Sequence, residues 1–295
     1  MAFIISDACP CCGSVSVSRK LSATDFTVTH QPFEIWECAG CTLRFTQAVP
    51  DAASAGSYYQ SDNYISHTNT NKGIVNKLYH FVRKRTLRKK RQMLQKKTGL
   101  QRGNLLDIGA GTGAFANTMQ VAGWNITGLE PDERTRLRAA DLFNIQLLDT
   151  PSLFQLPAAG CDAITMWHVL EHVHELHRYI EQIKILLKEE GRAFIAVPNY
   201  MSYDAGVYQE YWAAYDVPRH LYHFSAASME RLLQQHGLRL IAIKRMWYDS
   251  FYISMLSEKY MGGGIFKAVW TGAISNCIAV FNPRRCSSLI YIAGK

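Results

Sequence analysis

The stretch Leu105-Leu106-Asp107-Ile108-Gly109-Ala110-Gly111-Thr112-Gly113 combines an acid with three glycines at alternate positions, and a helical pattern begins at Phe115. Residues of these types at this spacing make a strand that ends in a glycine-rich turn, where a ligand can lie against backbone N–H groups. Four cysteines form a second chemical group. Cys9-x-x-Cys12 and Cys38-x-x-Cys41 are two turns that each aim a pair of thiolates at one ion, and together they close a tetrahedral zinc site. The third group is histidine-rich: His168-Val-Leu-Glu171-His172, with His220 further on. An imidazole titrates near neutral pH, so each of the three histidines is a candidate general base.

Each group has a bland alternative. Gly109-x-Gly111-x-x-Ala114 also fits the loose dinucleotide fingerprint. Asp107 discriminates, because a carboxylate is unfavourable beside a pyrophosphate and favourable beside the ammonium and sulfonium of S-adenosylmethionine. The cysteines could be disulfides or unligated thiols. The N-terminus has no basic and apolar leader, which makes a reducing cytoplasmic setting the expectation and favours zinc. Gly13 follows Cys12 and permits the tight turn, so Cys9 and Cys12 are the better first pair and Cys11 is a spare thiol. With four protein sulfurs, the zinc is structural.

The elements that position these groups follow from periodicity. Strands are predicted at Asn104–Ile108, Asn125–Glu130, Ile145–Leu148, Ala163–Trp167, Arg192–Val197, Leu238–Trp247 and Ser288–Ala293. A helix carrying Leu176, Ile180, Ile183 and Leu187 precedes Gly191, which is read as its stop. Another starts at Ser225 and ends at Gly237. Glu130 closes the second strand, where a carboxylate can accept from both ribose hydroxyls of an adenosine.

Asp-x-Gly-x-Gly-x-Gly, Gly-Leu-Glu-Pro and Cys161-Asp-Ala-Ile-Thr-Met-Trp-His168-Val-Leu-Glu171-His172 together resemble class I S-adenosylmethionine-dependent methyltransferases, and most closely the group that includes the ubiquinone-biosynthesis O-methyltransferases. The start of the chain, with Glu-Cys-x-x-Cys-x-Leu-x-Phe, resembles methyltransferases that carry a zinc ribbon before the enzyme domain. The resemblance implies an α/β fold with a Rossmann-like seven-stranded sheet whose last strand is antiparallel. It implies that Asp107, Gly109, Gly111 and Gly113 cradle the methionine part and Glu130 the ribose, and that Met166, Trp167 and His168 cover the cofactor. In the related O-methyltransferases an acid-x-x-acid-His segment can hold a divalent metal. Here His168 stands at the first acid, and Glu171 and His172 remain.

The organisation read from these features is a zinc ribbon over 1–48, a linker and basic helix over 49–100, and the methyltransferase domain over 101–295. That last part carries a lid at 200–224 and an insertion at 250–286. The lid holds Tyr203, Tyr208, Tyr211, Trp212, Tyr215 and Tyr222, which suit either an amphipathic acceptor or packing within the domain.

Charge is uneven. Net charge is +8, yet no acid lies between Asp62 and Asp107, a window with twelve basic residues; the rest of the chain has more acids than bases. The helix expected over 72–97 could lie on an anionic membrane or present a solvated face, and the absence of interleaved aromatics disfavours nucleic acid. In the insertion, Ile265, Phe266, Val269, Trp270, Ile274, Ile278 and Phe281 are spaced for an amphipathic helix, read first as cover for the sheet and second as membrane contact. The function read from the sequence is methyl transfer from S-adenosylmethionine to an oxygen, nitrogen or carbon of a small or lipid-linked acceptor. A non-catalytic scaffold and a nicotinamide-dependent oxidoreductase are the rivals.

Overall fold

The computed structural model describes residues 2–59 and 74–295, the side chains of 74–81 excepted. The chain opens with β1 (Phe3–Ile4), the hairpin of β2 (Val17–Thr24) and β3 (Pro32–Cys38), then β4 (Arg44–Thr46) and β5 (Val49–Pro50). Strands β2, β3 and β4 form an antiparallel meander, and β1 pairs with β5. Alternation explains the meander: Phe33, Ile35 and Phe45 turn inward while charged neighbours such as Glu34 turn out. The linker expected after it falls mostly outside the described residues, as do the side chains of Ile74, Leu78 and Phe81.

The basic segment forms α1 (Ile74–Thr98). Its apolar positions Leu87, Met93 and Leu94 pack with Phe115, Trp124, Ile290 and Ile292, so the helix is seated on the main sheet with most of its cations outside. Then follow β6 (Asn104–Ile108), α2 (Ala114–Val121), β7 (Asn125–Leu129), α3 (Glu133–Phe143), β8 (Cys161–Trp167), α4 (Leu176–Leu186) and β9 (Leu187–Pro198). Strands β6 and β8 are buried along most of their length, on inward and outward faces alike, as expected for central parallel strands covered on both sides. The segment after β9 contains α5 (Tyr203–Tyr208) and β10 (Tyr222–His223), and the chain closes with α6 (Ala226–Gln235), β11 (Arg239–Arg245), α7 (Asp249–Met261), α8 (Ile265–Phe281) and β12 (Ser288–Gly294).

The main sheet has the order β11-β12-β9-β8-β6-β7, and β12 runs antiparallel to both neighbours, as expected for the last strand. Six strands are present among the described residues rather than seven. The expected strand Ile145–Leu148 is reduced to one bridge between Leu148 and Leu129. Leu148 N donates to Gly128 O at 2.9 Å and Glu130 N donates to Leu148 O at 3.0 Å. Asp149 then caps a 3-10 turn over Thr150–Gln155, its side chain accepting from Ser152 N, so the extended chain ends there. Leu147 instead plugs the space above Gly128, where a Cβ would come within 2.3 Å of its Cδ2.

Two boundaries also differ. α4 ends at Leu186, before Gly191, and β9 starts at Leu187, so Gly191 lies inside a strand. It is needed there for close approach, since a Cβ would sit 2.9 Å from the Cys161 carbonyl oxygen. The insertion is a pair of helices rather than one. α8 turns its small residues Ala268, Thr271, Gly272, Ser275 and Ala279 inward, against α7 and α5. The lid segment is packed rather than open: Tyr208, Trp212 and Tyr215 are buried, with Trp212 Nε1 donating to Asp204 Oδ2 at 2.8 Å.

The meander takes its fourth strand from this lid. β10 pairs with β4, Tyr222 opposite Phe45 and His223 opposite Arg44. Cys9, Cys38, Cys41 and Leu43 share one hydrophobic cluster with Leu221, Phe224, Met229 and the main-sheet residues Ile195 and Leu289. No helix among the described residues is long and apolar enough to cross a membrane.

Candidate active site

The glycine turn sits at the carboxyl end of β6, beside the ends of β7 and β8. Gly109, Gly111 and Gly113 have φ of 70°, 54° and 75°, a region that costs side-chain-bearing residues strain. A Cβ on Gly109 would strike Val169 Cγ2 at 2.3 Å, so this glycine serves packing. A Cβ on Gly111 would meet nothing within 4 Å, so this glycine faces open space. Gly113 stands at the N-cap of α2 with no side-chain cap, leaving first-turn N–H groups to a ligand.

Asp107 is buried in that turn's floor, in register with Gly128 on β7 and Thr165 on β8. Thr165 Oγ1 donates to its Oδ1 at 2.6 Å. Burial pushes the Asp107 carboxyl up to about 6; the Thr165 hydrogen bond and the charge of Lys90 offset part of this, and Glu130 adds to it. Glu130 accepts from Gly111 N at 2.9 Å and from Asp132 N at 3.1 Å, so its carboxylate braces the glycine turn. Burial raises its pKa and those two N–H groups lower it, the net being upward.

From β8, Met166 points into the core and is fully buried. Trp167 lies edge-on to Phe115 at 5.3 Å, and Lys90 Nζ from α1 sits 4.0 Å from its ring centroid. His168 has φ 58° and is clamped on both nitrogens. Nδ1 is 3.2 Å from Glu171 Oε1 and Nε2 is 3.1 Å from Asp249 Oδ2. Burial lowers its pKa, but bonds to and charges of Asp249 and Glu171 raise it to about 10. His168 is therefore a held imidazolium with no free lone pair, which corrects its place among the candidate bases.

His172 and His220 are brought together, edge to face with centroids 4.5 Å apart. His172 Nδ1 is 3.0 Å from Arg219 O and 3.1 Å from Tyr59 Oη. A carbonyl oxygen only accepts, so Nδ1 carries the proton and Nε2 the lone pair. Burial, then the charge of His220, lowers the His172 pKa to about 4, so the ring is neutral near pH 7. His220 Nδ1 likewise donates to Ala214 O at 2.9 Å. Glu171 completes the cluster: it is fully buried, and its Oε2 has no hydrogen-bond partner among the described residues. Donor atoms of Glu171, His172 and His220 all lie within 4.8 Å of one another.

The cysteines also converge. Sγ of Cys9 is 3.5 Å from that of Cys41, and Sγ of Cys12 is 3.6 Å from that of Cys38. A disulfide would bring a pair to about 2.05 Å. Two sulfurs on one tetrahedral zinc, each about 2.3 Å from it, stand near the observed separation. Cys11 lies outside the group of four, its Sγ 3.7 Å from Ser228 O, though its thiol is close enough to Cys41 to raise that residue's pKa.

A profile described as methyltransferase domain matches residues 78–243, more than half of the chain. The chain belongs to the methyltransferase-domain family. Among curated methyltransferases, it is 24% identical over 165 residues to the ubiquinone biosynthesis O-methyltransferase of Cupriavidus pinatubonensis, covering 51% of this chain and 66% of the relative. To the enzyme of the same name from Vibrio atlanticus it is 35% identical over 115 residues, covering 36% of this chain and 48% of the relative. The chain thus spans about two thirds or less of the length of these relatives. Among solved structures, a SAM dependent methyltransferase from Archaeoglobus fulgidus superposes with a TM-score of 0.48 and 18% identity, covering 74% of this chain and all of that one.

Several residues of this candidate site carry little or no sequence signal. Lys90 is one of twelve cations in an acid-free window, and only the packing of α1 turns it inward. Asp249 follows β11 with no motif around it. Thr165 was visible only as a polar residue at an inward position of an apolar strand, which is itself a usable signal.

Proposed function

We propose that this methyltransferase moves a methyl group from S-adenosylmethionine to a hydroxyl oxygen of a small or lipid-linked acceptor. The observation that carries the cofactor assignment is Asp107 buried under a glycine turn that opens onto space at Gly111, with Glu130 at the end of the next strand. Asp107 would face the ammonium, Lys90 the carboxylate and Glu130 the ribose, while Trp167 flanks the methionine part. Bound there, S-adenosylmethionine supplies a methyl carbon on a positively charged sulfur, which an acceptor lone pair can displace in line.

The chain's own task is to orient the acceptor and take its proton. His172 suits the second role, because its ring is neutral and its Nδ1–H is committed to Arg219 O, leaving Nε2 to receive a hydroxyl proton. His220, beside it, is the second candidate. The choice of oxygen as acceptor rests on this base and on the names of the curated relatives. The bare Oε2 of Glu171 favours one alternative, in which a divalent cation held by Glu171, His172 and His220 binds the acceptor oxygen.

Calorimetry with S-adenosylhomocysteine and with a nicotinamide dinucleotide tests the cofactor. Tight binding of the first alone is expected; tight dinucleotide binding would overturn the assignment, and binding of neither would favour a scaffold. Radioactive methyl donor with host extract, with and without the protein, then seeks the labelled product. Metal analysis of protein with Cys12 and Cys41 replaced separates base from metal: metal retained there would select the cation reading.

We further propose a structural zinc on Cys9, Cys12, Cys38 and Cys41, and a cytoplasmic protein that touches anionic membrane through the outer face of α8.

A further inference from the structure

The segment that carries His220 and holds His172 is gripped by the N-terminal cysteine unit. Thr46 N donates to Leu221 O at 2.9 Å, and Thr46 Oγ1 donates to His220 O at 2.7 Å. At the other end of the grip is Asp25, at the turn after β2. It is fully buried and accepts from Thr27 and Val28 N–H, from Thr29 N–H at 2.8 Å, and from the hydroxyls of both threonines at 2.9 Å. Burial alone would raise its pKa, but the Thr29 N–H, the Arg219 charge and Thr27 bring it down to about 2, so it is an anion at any working pH.

Arg219 is the partner of that anion. Its Nη2 is 3.0 Å from Asp25 Oδ1 and 2.6 Å from Asp216 Oδ1, and its Nη1 donates to Tyr58 O at 3.0 Å. Its Nε also donates to both Asp216 carboxylate oxygens at 3.1 Å, and the guanidinium is 1% exposed, so its position is set by these buried contacts, Asp25 being the one that comes from the cysteine unit. The carbonyl of the same residue accepts the His172 Nδ1 proton.

We propose that Asp25 is a positioning residue for the acceptor site: by fixing Arg219 it holds the carbonyl that keeps the His172 proton on Nδ1 and the lone pair on Nε2. The cysteine unit is on this account a brace for the acceptor site rather than an appended module. The proposal rests on the reading of His172 as the base, but its test needs no acceptor, so the two can fail separately.

The test uses the full chain labelled with ¹⁵N-histidine. In wild type one ring, identified by its disappearance in His172→Gln, is expected to show the Nδ1–H tautomer, the minor form of a free imidazole. In Asp25→Asn, with S-adenosylhomocysteine affinity and near-ultraviolet dichroism unchanged, that ring is expected to shift to Nε2–H or to exchange between the two. An unchanged tautomer in the folded Asp25→Asn protein would overturn the proposal. Should Asp25→Asn not fold, Thr29→Val removes only one hydroxyl donor from Asp25. It is expected to broaden the same signal, and a spectrum identical to wild type there would equally overturn it. Asp25→Glu, which keeps the anion, is expected to restore part of the wild-type signal.

Discussion

Lys90 lies over Trp167, its Nζ 4.0 Å from the ring centroid, although the two residues come from a basic surface helix and a central strand. The ammonium faces the acids at the cofactor end of the sheet. Burial lowers its pKa to about 8, against the pull of Asp249 and Asp107. If it pairs with the cofactor carboxylate, Lys90→Met should weaken S-adenosylhomocysteine about 10- to 100-fold, the range for a hydrogen bond to a charged group. The pH dependence has a definite sign. Affinity should fall as pH rises through about 8 and Lys90 loses its proton. It should also fall as pH drops through about 6 and Asp107 gains one. Lys90→Arg should abolish the alkaline fall. Calorimetry from pH 5 to 9 measures this, and wild-type affinity in Lys90→Met would sink the assignment.

Gly109 and Gly111 both have positive φ, yet they should fail differently. Gly109→Ala drives a methyl into Val169, so loss of folding stability is expected. Gly111→Ala meets only open space, so it should cost about 1–2 kcal/mol of backbone strain and remain folded. Its methyl would nevertheless occupy the surface proposed for the cofactor. Urea unfolding paired with calorimetry separates the two. A folded Gly111→Ala that binds S-adenosylhomocysteine as wild type does would place the cofactor elsewhere.

What was legible in the sequence was local. Asp107, the three glycines and Glu130 lie within one strand–turn–helix–strand unit, so their chemistry and their spacing are read together. His168 shows the limit. Its residue type suggests a base, but its state is decided in part by Asp249, 81 residues away at the start of α7, which only the folded chain brings to it. Lys90 reads as surface charge for the same reason. The third strand is shorter than its residues suggest: Leu147 and Leu148 have strand-like character, but Leu147 plugs the space above Gly128 and Asp149 starts a 3-10 turn, leaving one bridge. The dependence of the lid on the cysteine unit is a pairing of Phe45 with Tyr222, which no periodicity reports.

Zinc on the four cysteines has a direct check. Native protein should contain about one equivalent of zinc in addition to any metal at Glu171, His172 and His220. Cys12→Ser should lose the cysteine-bound zinc and unfold at lower temperature, because the cysteine unit shares its core with the main sheet. Cys11→Ser should keep it, since that sulfur is turned toward Ser228. Zinc lost equally from both variants would show that Cys11 is a ligand and that the first pair is misassigned.

The outer face of α8 is the strongest candidate for contact with a membrane. Phe266 is 89% exposed, Phe281 90% and Trp270 69%, while the small residues of the helix face inward. The two acids between Asp249 and Arg285 are both engaged, Asp249 by His168 and Glu258 by Lys267. The other charges near the exposed face are positive: Lys259 and Arg285, with Arg284, which also reaches Glu230 at 3.6 Å. An apolar face rimmed by cations matches the surface of an anionic bilayer, with aromatic rings at headgroup depth. Wild-type protein should sediment with phosphatidylglycerol-containing vesicles at low salt and less so at high salt, as screening weakens the cationic rim. The triple variant Phe266→Ser, Trp270→Ser, Phe281→Ser should stay in the supernatant while keeping its unfolding temperature and its S-adenosylhomocysteine affinity. Absence of wild-type sedimentation at low salt, or equal sedimentation of the triple variant, would remove the membrane from the account of α8.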